Sequence, residues 1–203
     1  MPAVANPPSG TTTPPPAPNP RAIRWTVDLF HRVNATGVLE GRRPLLIDGV
    51  LLEQGPMNPP HSVAMELLVD VMRGVFGAGW RVRSQLPLVL GLETDPFPDL
   101  AVVSGTARGT TEHPASAALV VEVSDSTLTL DTTKKAELYA TAGVADYWVI
   151  DLVNRRLLVF RDPVPVPALG ATAYRTHLTL GPADSVSPLA APAASVAVAD
   201  LLP

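Results

Sequence analysis

The chain contains no cysteine, and that one absence removes disulfide cross-links, thiolate zinc sites and cysteine nucleophiles together. It also fits a reducing compartment. Long apolar runs are missing too, since no stretch reaches the roughly 18 to 20 residues that cross a bilayer. The first residues carry no basic stretch followed by an apolar one, so they do not read as a secretory signal. A cytoplasmic location, with no membrane partner, is the expectation. Basic charge is scarce: 15 Lys and Arg stand against 19 Asp and Glu, a net charge of −4, and the pI is near 5.5. That balance argues against tight, non-specific nucleic-acid binding, which goes with a clearly basic face. Two small basic clusters, Arg42 with Arg43 and Arg81 with Arg83, read more readily as a solvated face than as a phosphate track. The 4 histidines show no His-x-x-x-His spacing. There is no Gly-x-Ser-x-Gly elbow and no Gly-rich phosphate loop.

What is present suffices for one domain. At 203 residues and 46% hydrophobic, the chain can bury a sizeable core. Residues 1–20, with Pro7-Pro8, the Thr11 to Thr13 run and Pro14-Pro15-Pro16, have little apolar side chain to offset ordering entropy. They are expected to be a disordered, partly polyproline tail ahead of a single domain over 21–203. Thr26 reads as the N-cap of a short helix carrying Leu29, Phe30 and Val33 and stopping near Gly37. Asp48-Gly49 between the apolar runs Pro44 to Ile47 and Val50 to Glu53 predicts a hairpin. Val63, Leu67, Val71 and Val75 predict an amphipathic helix from His61 to Phe76. Trp80 to Leu90, Pro98 to Val103 and Ala117 to Val123 read as strands. A second amphipathic helix, Asp131 to Ala142, is capped by Asp131 and closed by Gly143. Strands follow over Tyr147 to Asp151, Arg156 to Arg161 and near Tyr174 to Leu180, then a weakly determined C-terminal segment. This order implies a mixed sheet with helices packed on it, an α/β or α+β domain.

Two acids lie in apolar strands. Glu122 sits inside Ala118-Leu119-Val120-Val121-Glu122-Val123, where a carboxylate is costly unless paired, protonated or bound to a metal. The plainer alternative is a strand-end glutamate turning into solvent with Ser124-Asp125-Ser126. Asp99 opens Asp99-Leu100-Ala101-Val102-Val103 after Pro98. Magnesium in phosphoryl-transfer sites uses one or two such carboxylates and keeps several waters. On the helix from Asp131, Lys135 shares a face with Leu138, Tyr139 and Ala142, while Lys134 lies about 100° away and points to water. An inward lysine near a helix N-terminus opposes the dipole and calls for an anionic neighbour. Its alternative is to snorkel along the apolar face.

A Pro-Asp, a Glu-x-Ser on a later strand and an inward lysine in the next helix together resemble the family of Uma-type "putative restriction endonucleases", within the PD-(D/E)XK nuclease superfamily. The resemblance is carried by Pro98 to Val103, Val121-Glu122-Val123-Ser124, Asp131 with Lys135 and Tyr139, Ala142-Gly143-Val144 and Tyr147-Trp148-Val149-Ile150-Asp151. Ile47-Asp48-Gly49, Pro59-Pro60-His61 and Gln85-Leu86-Pro87 fit it upstream, so it spans roughly residues 25–165. It implies a restriction-endonuclease-like fold, a mixed central sheet flanked by helices, and a Mg²⁺ or Mn²⁺ site that serves phosphodiester hydrolysis of DNA. Asp99 and Glu122 would be metal ligands, with the backbone carbonyl of Val123 as a further oxygen, and Lys135 would be the catalytic amine. Ser124 stands where the superfamily usually has its lysine, and it and His61 are additional candidates. His61 also reads as a capping or surface histidine.

One position departs from the family: a glutamate is common just before the hairpin, and here the residue is Leu45. Glu53 and Glu66 are conceivable substitutes, though Glu66 falls with Ser62, Asp70 and Arg73 on a polar helix face. Leu45 and the acidic pI leave open the alternative of a catalytically weak or inactive member acting as a binding or assembly module. A homodimer through the edge of the apolar Tyr147 to Phe160 hairpin is a further expectation.

Overall fold

The computed structural model describes residues 22–203; the proline-rich segment 1–20, expected to be disordered, lies outside the described residues. Helix α1 (Val27–Asn34) starts where Thr26 Oγ1 accepts the Leu29 amide at 3.2 Å. Strands β1 (Pro44–Ile47) and β2 (Val50–Glu53) pair antiparallel across Asp48 and Gly49, both left-handed at φ 47° and 71°, the conformation that a two-residue hairpin of matching twist requires.

Helix α2 (Pro59–Val75) begins two residues before the expected start. Asn58 caps it by accepting the His61 amide at 3.1 Å, and Pro59-Pro60 occupy the first turn, where a missing N–H costs nothing. Its buried stripe is Ala64, Met65, Leu68 and Met72, not the predicted Val63 series, and Val63 is 45% exposed. A spacing of four drifts by about 40° at each step, so that series is not one buried line: Val63 faces outward, and Val71 and Val75 pack at the margin of the core.

A six-stranded sheet forms the centre: β3 (Trp80–Ser84), β4 (Leu100–Ser104), β5 (Leu119–Ser124), β6 (Asp146–Asp151), β7 (Arg156–Val166) and β8 (Ala171–Leu180), in that spatial order. Only β5 and β6 are parallel. The connection between them is one continuous helical stretch: α3 (Leu128–Leu130), a π-helical turn (Asp131–Lys135) and α4 (Ala136–Thr141). Alternation along the strands sorts side chains onto two faces. On one, Leu100, Val102, Leu119, Val121, Trp148 and Ile150 pack against α2. On the other, Ala101, Val103, Val120, Tyr147 and Val149 pack against α4 and the β1–β2 hairpin.

Four expectations are corrected. The strand expected from Trp80 to Leu90 ends at Ser84, because Gln85 turns left-handed at φ 50°. Asp131 is no cap: the helix starts at Leu128 and the Asp131 carboxylate is buried inside it. The Tyr147 to Phe160 hairpin offers no edge, since β8 covers β7 and the free edges are β3 and β8. The C-terminal segment is firmly placed, with β9 (Ser185–Val186) and β10 (Val196–Ala197) paired and Val196, Val198, Leu201 and Leu202 buried in the core beside α2. Among the described residues, no helix is long and apolar enough to cross a membrane.

Candidate active site

The sheet register brings the two acids together. Leu100 faces Val121 across the β4–β5 pair, so the next step sets Asp99, just ahead of β4, beside Glu122. Both belong to the face covered by α4. The Asp99 amide donates to Glu122 Oε2 at 3.4 Å, and Asp99 Oδ2 accepts the Val123 amide at 2.8 Å. Lys135 closes the group: its Nζ lies 3.0 Å from Glu122 Oε2 and 2.9 Å from Asp131 Oδ1. Lys134 points outward as its helical phase requires, and pairs with Asp48 in the hairpin turn. Asp99, Glu122, Val123, Lys135 and His61 line one open cleft of about 150 Å³, with Arg43, Asn58, Asp125 and Thr127 on its walls.

Burial dominates the electrostatics. Glu122 is 1% exposed. Loss of water raises its carboxyl to about 7, even though Lys135 and Tyr139 pull it down. Burial pushes Asp99 upward too, but His61, the Val123 amide and Lys135 outweigh it and hold that carboxyl below its usual value. For Lys135, burial works against the charge, and Glu122 with Asp131 more than reverses it, so the ammonium is held protonated.

His61 sits at the first turn of α2, with its Nε2 3.4 Å from Asp99 Oδ1. The atom is shielded from solvent and makes no well-formed hydrogen bond. Asp99 raises the pKa of this histidine against the effect of burial.

Ser124 is buried and does not line the cleft; its Oγ meets Thr127 Oγ1 at 3.4 Å. Thr127 in turn donates to Asp131 Oδ2 at 2.5 Å. Neither suggested substitute for the Leu45 position reaches the cleft: Glu53 pairs with Arg42 at 2.8 Å, and Glu66 is exposed on α2. Leu45 itself is a core residue, 5% exposed.

Three partners were given no role in the site by the sequence reading. Tyr139 donates its hydroxyl to Glu122 Oε1 at 2.7 Å. The clue was a tyrosine on a packed helix face, since a buried phenol needs an acceptor. Asp131 holds Lys135, and its clue was an inward lysine four residues on. Gln85 reaches Asp99 Oδ1 at 3.4 Å, and its clue was its place in the Gln85-Leu86-Pro87 stretch of the resemblance.

The donor set bears on which cation would fit. Among the described residues, no three of His, Asp and Glu converge as a ready-made cage. Two oxygen-bearing acids with a backbone carbonyl nearby suit instead a hard ion that retains several of its waters. The unpartnered His61 Nε2 and the raised Glu122 mark where the protein leaves charge and hydrogen bonding incomplete.

The profile of the Uma2 family, described as "Putative restriction endonuclease", matches residues 28–199. The chain belongs to that family. No curated protein matches it. Its fold is that of the crystal structure of a "putative nuclease belonging to DUF820" from Anabaena variabilis, with a TM-score of 0.66 at 18% sequence identity, the alignment covering 87% of this chain and 97% of that one. The mixed sheet flanked by helices is thus the architecture expected of a Uma2 member. Of the residues that carried the sequence resemblance, Asp99, Glu122, Val123, Lys135 and His61 line the cleft, while Ser124, Ala142-Gly143-Val144 and the Tyr147 to Asp151 strand do not.

Proposed function

We propose that this Uma2 chain is a divalent-metal-dependent phosphodiesterase that hydrolyses DNA, with Asp99, Glu122 and Lys135 as its catalytic residues. One observation carries the reading: the β4–β5 register sets Asp99 beside Glu122 in an open cleft, with Lys135 Nζ 3.0 Å from Glu122. The Asp99 and Glu122 carboxylates and the Val123 carbonyl would hold Mg²⁺ or Mn²⁺. When bound, such a cation neutralises charge on the phosphate and acidifies the attacking water.

The chain's own residues define the rest. Lys135 is kept protonated by Glu122 and Asp131, so its part is to donate hydrogen bonds and positive charge to a phosphate oxygen, not to accept a proton. Tyr139 fixes the Glu122 carboxylate through Oε1. Asp131 fixes Lys135 in turn. His61, with Nε2 3.4 Å from Asp99 Oδ1, would help to keep that carboxylate ionised for the cation.

The test incubates purified protein with duplex and single-stranded DNA in magnesium, manganese or EDTA. Cleavage requiring metal and lost in Asp99→Ala is expected. Cleavage that survives both EDTA and Asp99→Ala sinks the reading, and a protein that cuts under no condition returns it to the binding-module alternative.

A further inference from the structure

The outer strand β3 carries arginine at alternate positions, so Arg81 and Arg83 stand on one face. They lie opposite Val103 and Ala101, on the side of the sheet that bears the cleft. The chain then runs into Gln85, whose amide bonds the Asp99 carbonyl at 3.1 Å. The Gln85 side chain touches Asp99 Oδ1 and also accepts from Arg43 Nη2, each at 3.4 Å. Arg43 lines the cleft itself. Arg43, Arg83 and Arg81 thus form a row from the cleft along the edge of the sheet.

None of the three pairs with an acid among the described residues, whereas Arg24, Arg42, Arg156 and Arg161 each do. Arg81 gives one N–H to Thr110 Oγ1 at 3.0 Å, and Arg83 gives one to the Pro87 carbonyl at 2.9 Å; a guanidinium has five to give. The Nε of each is out of water without a partner. Burial, and then repulsion from Arg81, lower the pKa of Arg83. Like charges held together, half-buried and without a counter-ion, weigh against the fold. The arrangement makes sense for a ligand that brings the negative charge with it. Same-face residues on a strand are about 6.8 Å apart, close to the axial rise of two nucleotides in one DNA strand.

We propose that Arg43, Arg83 and Arg81 bind the phosphates of a nucleic-acid strand next to the bond held in the cleft, giving an acidic protein its hold on DNA. This rests on the nuclease reading above, but its test separates the two. The full chain in EDTA is titrated onto a labelled duplex between about 50 and 200 mM salt, with fluorescence anisotropy as readout. In the doubly substituted Arg81→Gln, Arg83→Gln protein, the slope of log affinity against log salt becomes shallower by about 2, near 0.9 for each phosphate no longer neutralised. Affinity at the lowest salt falls on the order of tenfold. Arg175→Gln, on β8 at the opposite edge of the sheet, leaves both unchanged. If the double variant melts early, Arg81→Gln alone decides, with a slope change of about 1. Unchanged affinity and slope in a folded variant, with the wild type binding, overturn the arginine row and leave the nuclease reading standing. A wild type that binds no duplex at the lowest salt also overturns the row, and cleavage in magnesium then tells whether the nuclease reading survives.

Discussion

Protons and a divalent cation should compete for Glu122, and the size of that competition follows from its burial. In the metal-free protein this carboxyl sits at about 7, while Asp99 is held below its usual range. At about pH 8 a cation meets two charged acids. At about pH 5.5 it must displace a proton from Glu122, across a gap of about 7 − 5.5 = 1.5 pH units. Apparent affinity should therefore fall about 30-fold, or about 2 kcal/mol, between the two conditions. A glutamate at its ordinary value of 4.5 would be ionised at both, and would show almost no difference. Manganese titration calorimetry at the two pH values measures this directly, with the manganese-induced rise in melting temperature as a second readout. Asp99 raises the pKa of His61, and a protonated His61 repels a cation as well, so the titration is repeated in His61→Asn to isolate the Glu122 part. Equal manganese affinity at both pH values refutes the reasoning. So does a pH dependence that persists unchanged in a Glu122→Gln protein that still binds.

Three further outcomes follow from the same geometry. Lys135→Met leaves Glu122 and Asp131 buried without their cation and should cost about 3 to 5 kcal/mol in urea unfolding at about pH 8. Lys135 lowers the folded Glu122 carboxyl to about 7, and without it the value is higher still, so near pH 5 both proteins hold this acid protonated and the deficit grows only as pH rises above about 7; equal deficits at about pH 5 and 8 would count against it. Tyr139→Phe removes the hydroxyl on Glu122 Oε1, with about 1 to 3 kcal/mol lost and the pH midpoint of manganese binding moved upward, because that hydroxyl holds the carboxyl down. Asp146 is buried and accepts from Arg161 Nε, Trp148 Nε1 and the Leu189 amide, each at 2.8 Å. Asp146→Asn should destabilise by about 3 to 5 kcal/mol while leaving manganese affinity unchanged, which calorimetry on the folded variant checks.

The site was legible where a single residue contradicted its surroundings. Glu122 announced itself as a charge within an apolar strand, and Asp99 as an acid opening another. Helical phase separated Lys135 from Lys134, and it does so even though the turn around them is π-helical, because Lys135 and Tyr139 stay in phase across the junction with α4. Asp131 was misread because an acid ahead of a helix usually caps it, and only the three-residue α3 in front of it shows otherwise. Arg43 and Gln85 meet across 42 positions of sequence, and no local pattern reports such a meeting. The C-terminal segment was missed for a related reason. Its β9 and β10 are two residues each, too short for any periodicity, and its fixed position comes from Val198, Leu201 and Leu202 filling space beside α2.

The single parallel pair in the sheet has a consequence for how such a protein can change. Glu122, Asp131, Lys135 and Tyr139 all lie within the one unit β5–helix–β6, fewer than twenty consecutive residues from first to last. Asp99 and the arginine row come instead from β4, β3 and the hairpin approach, which precede that unit in the chain. The ammonium–carboxylate–phenol cluster is therefore encoded in one short stretch, and the surface around it is encoded elsewhere. Exchange of the upstream segment between relatives would alter what is held in the cleft while leaving the ammonium–carboxylate–phenol cluster intact, so the two halves are free to diverge at different rates.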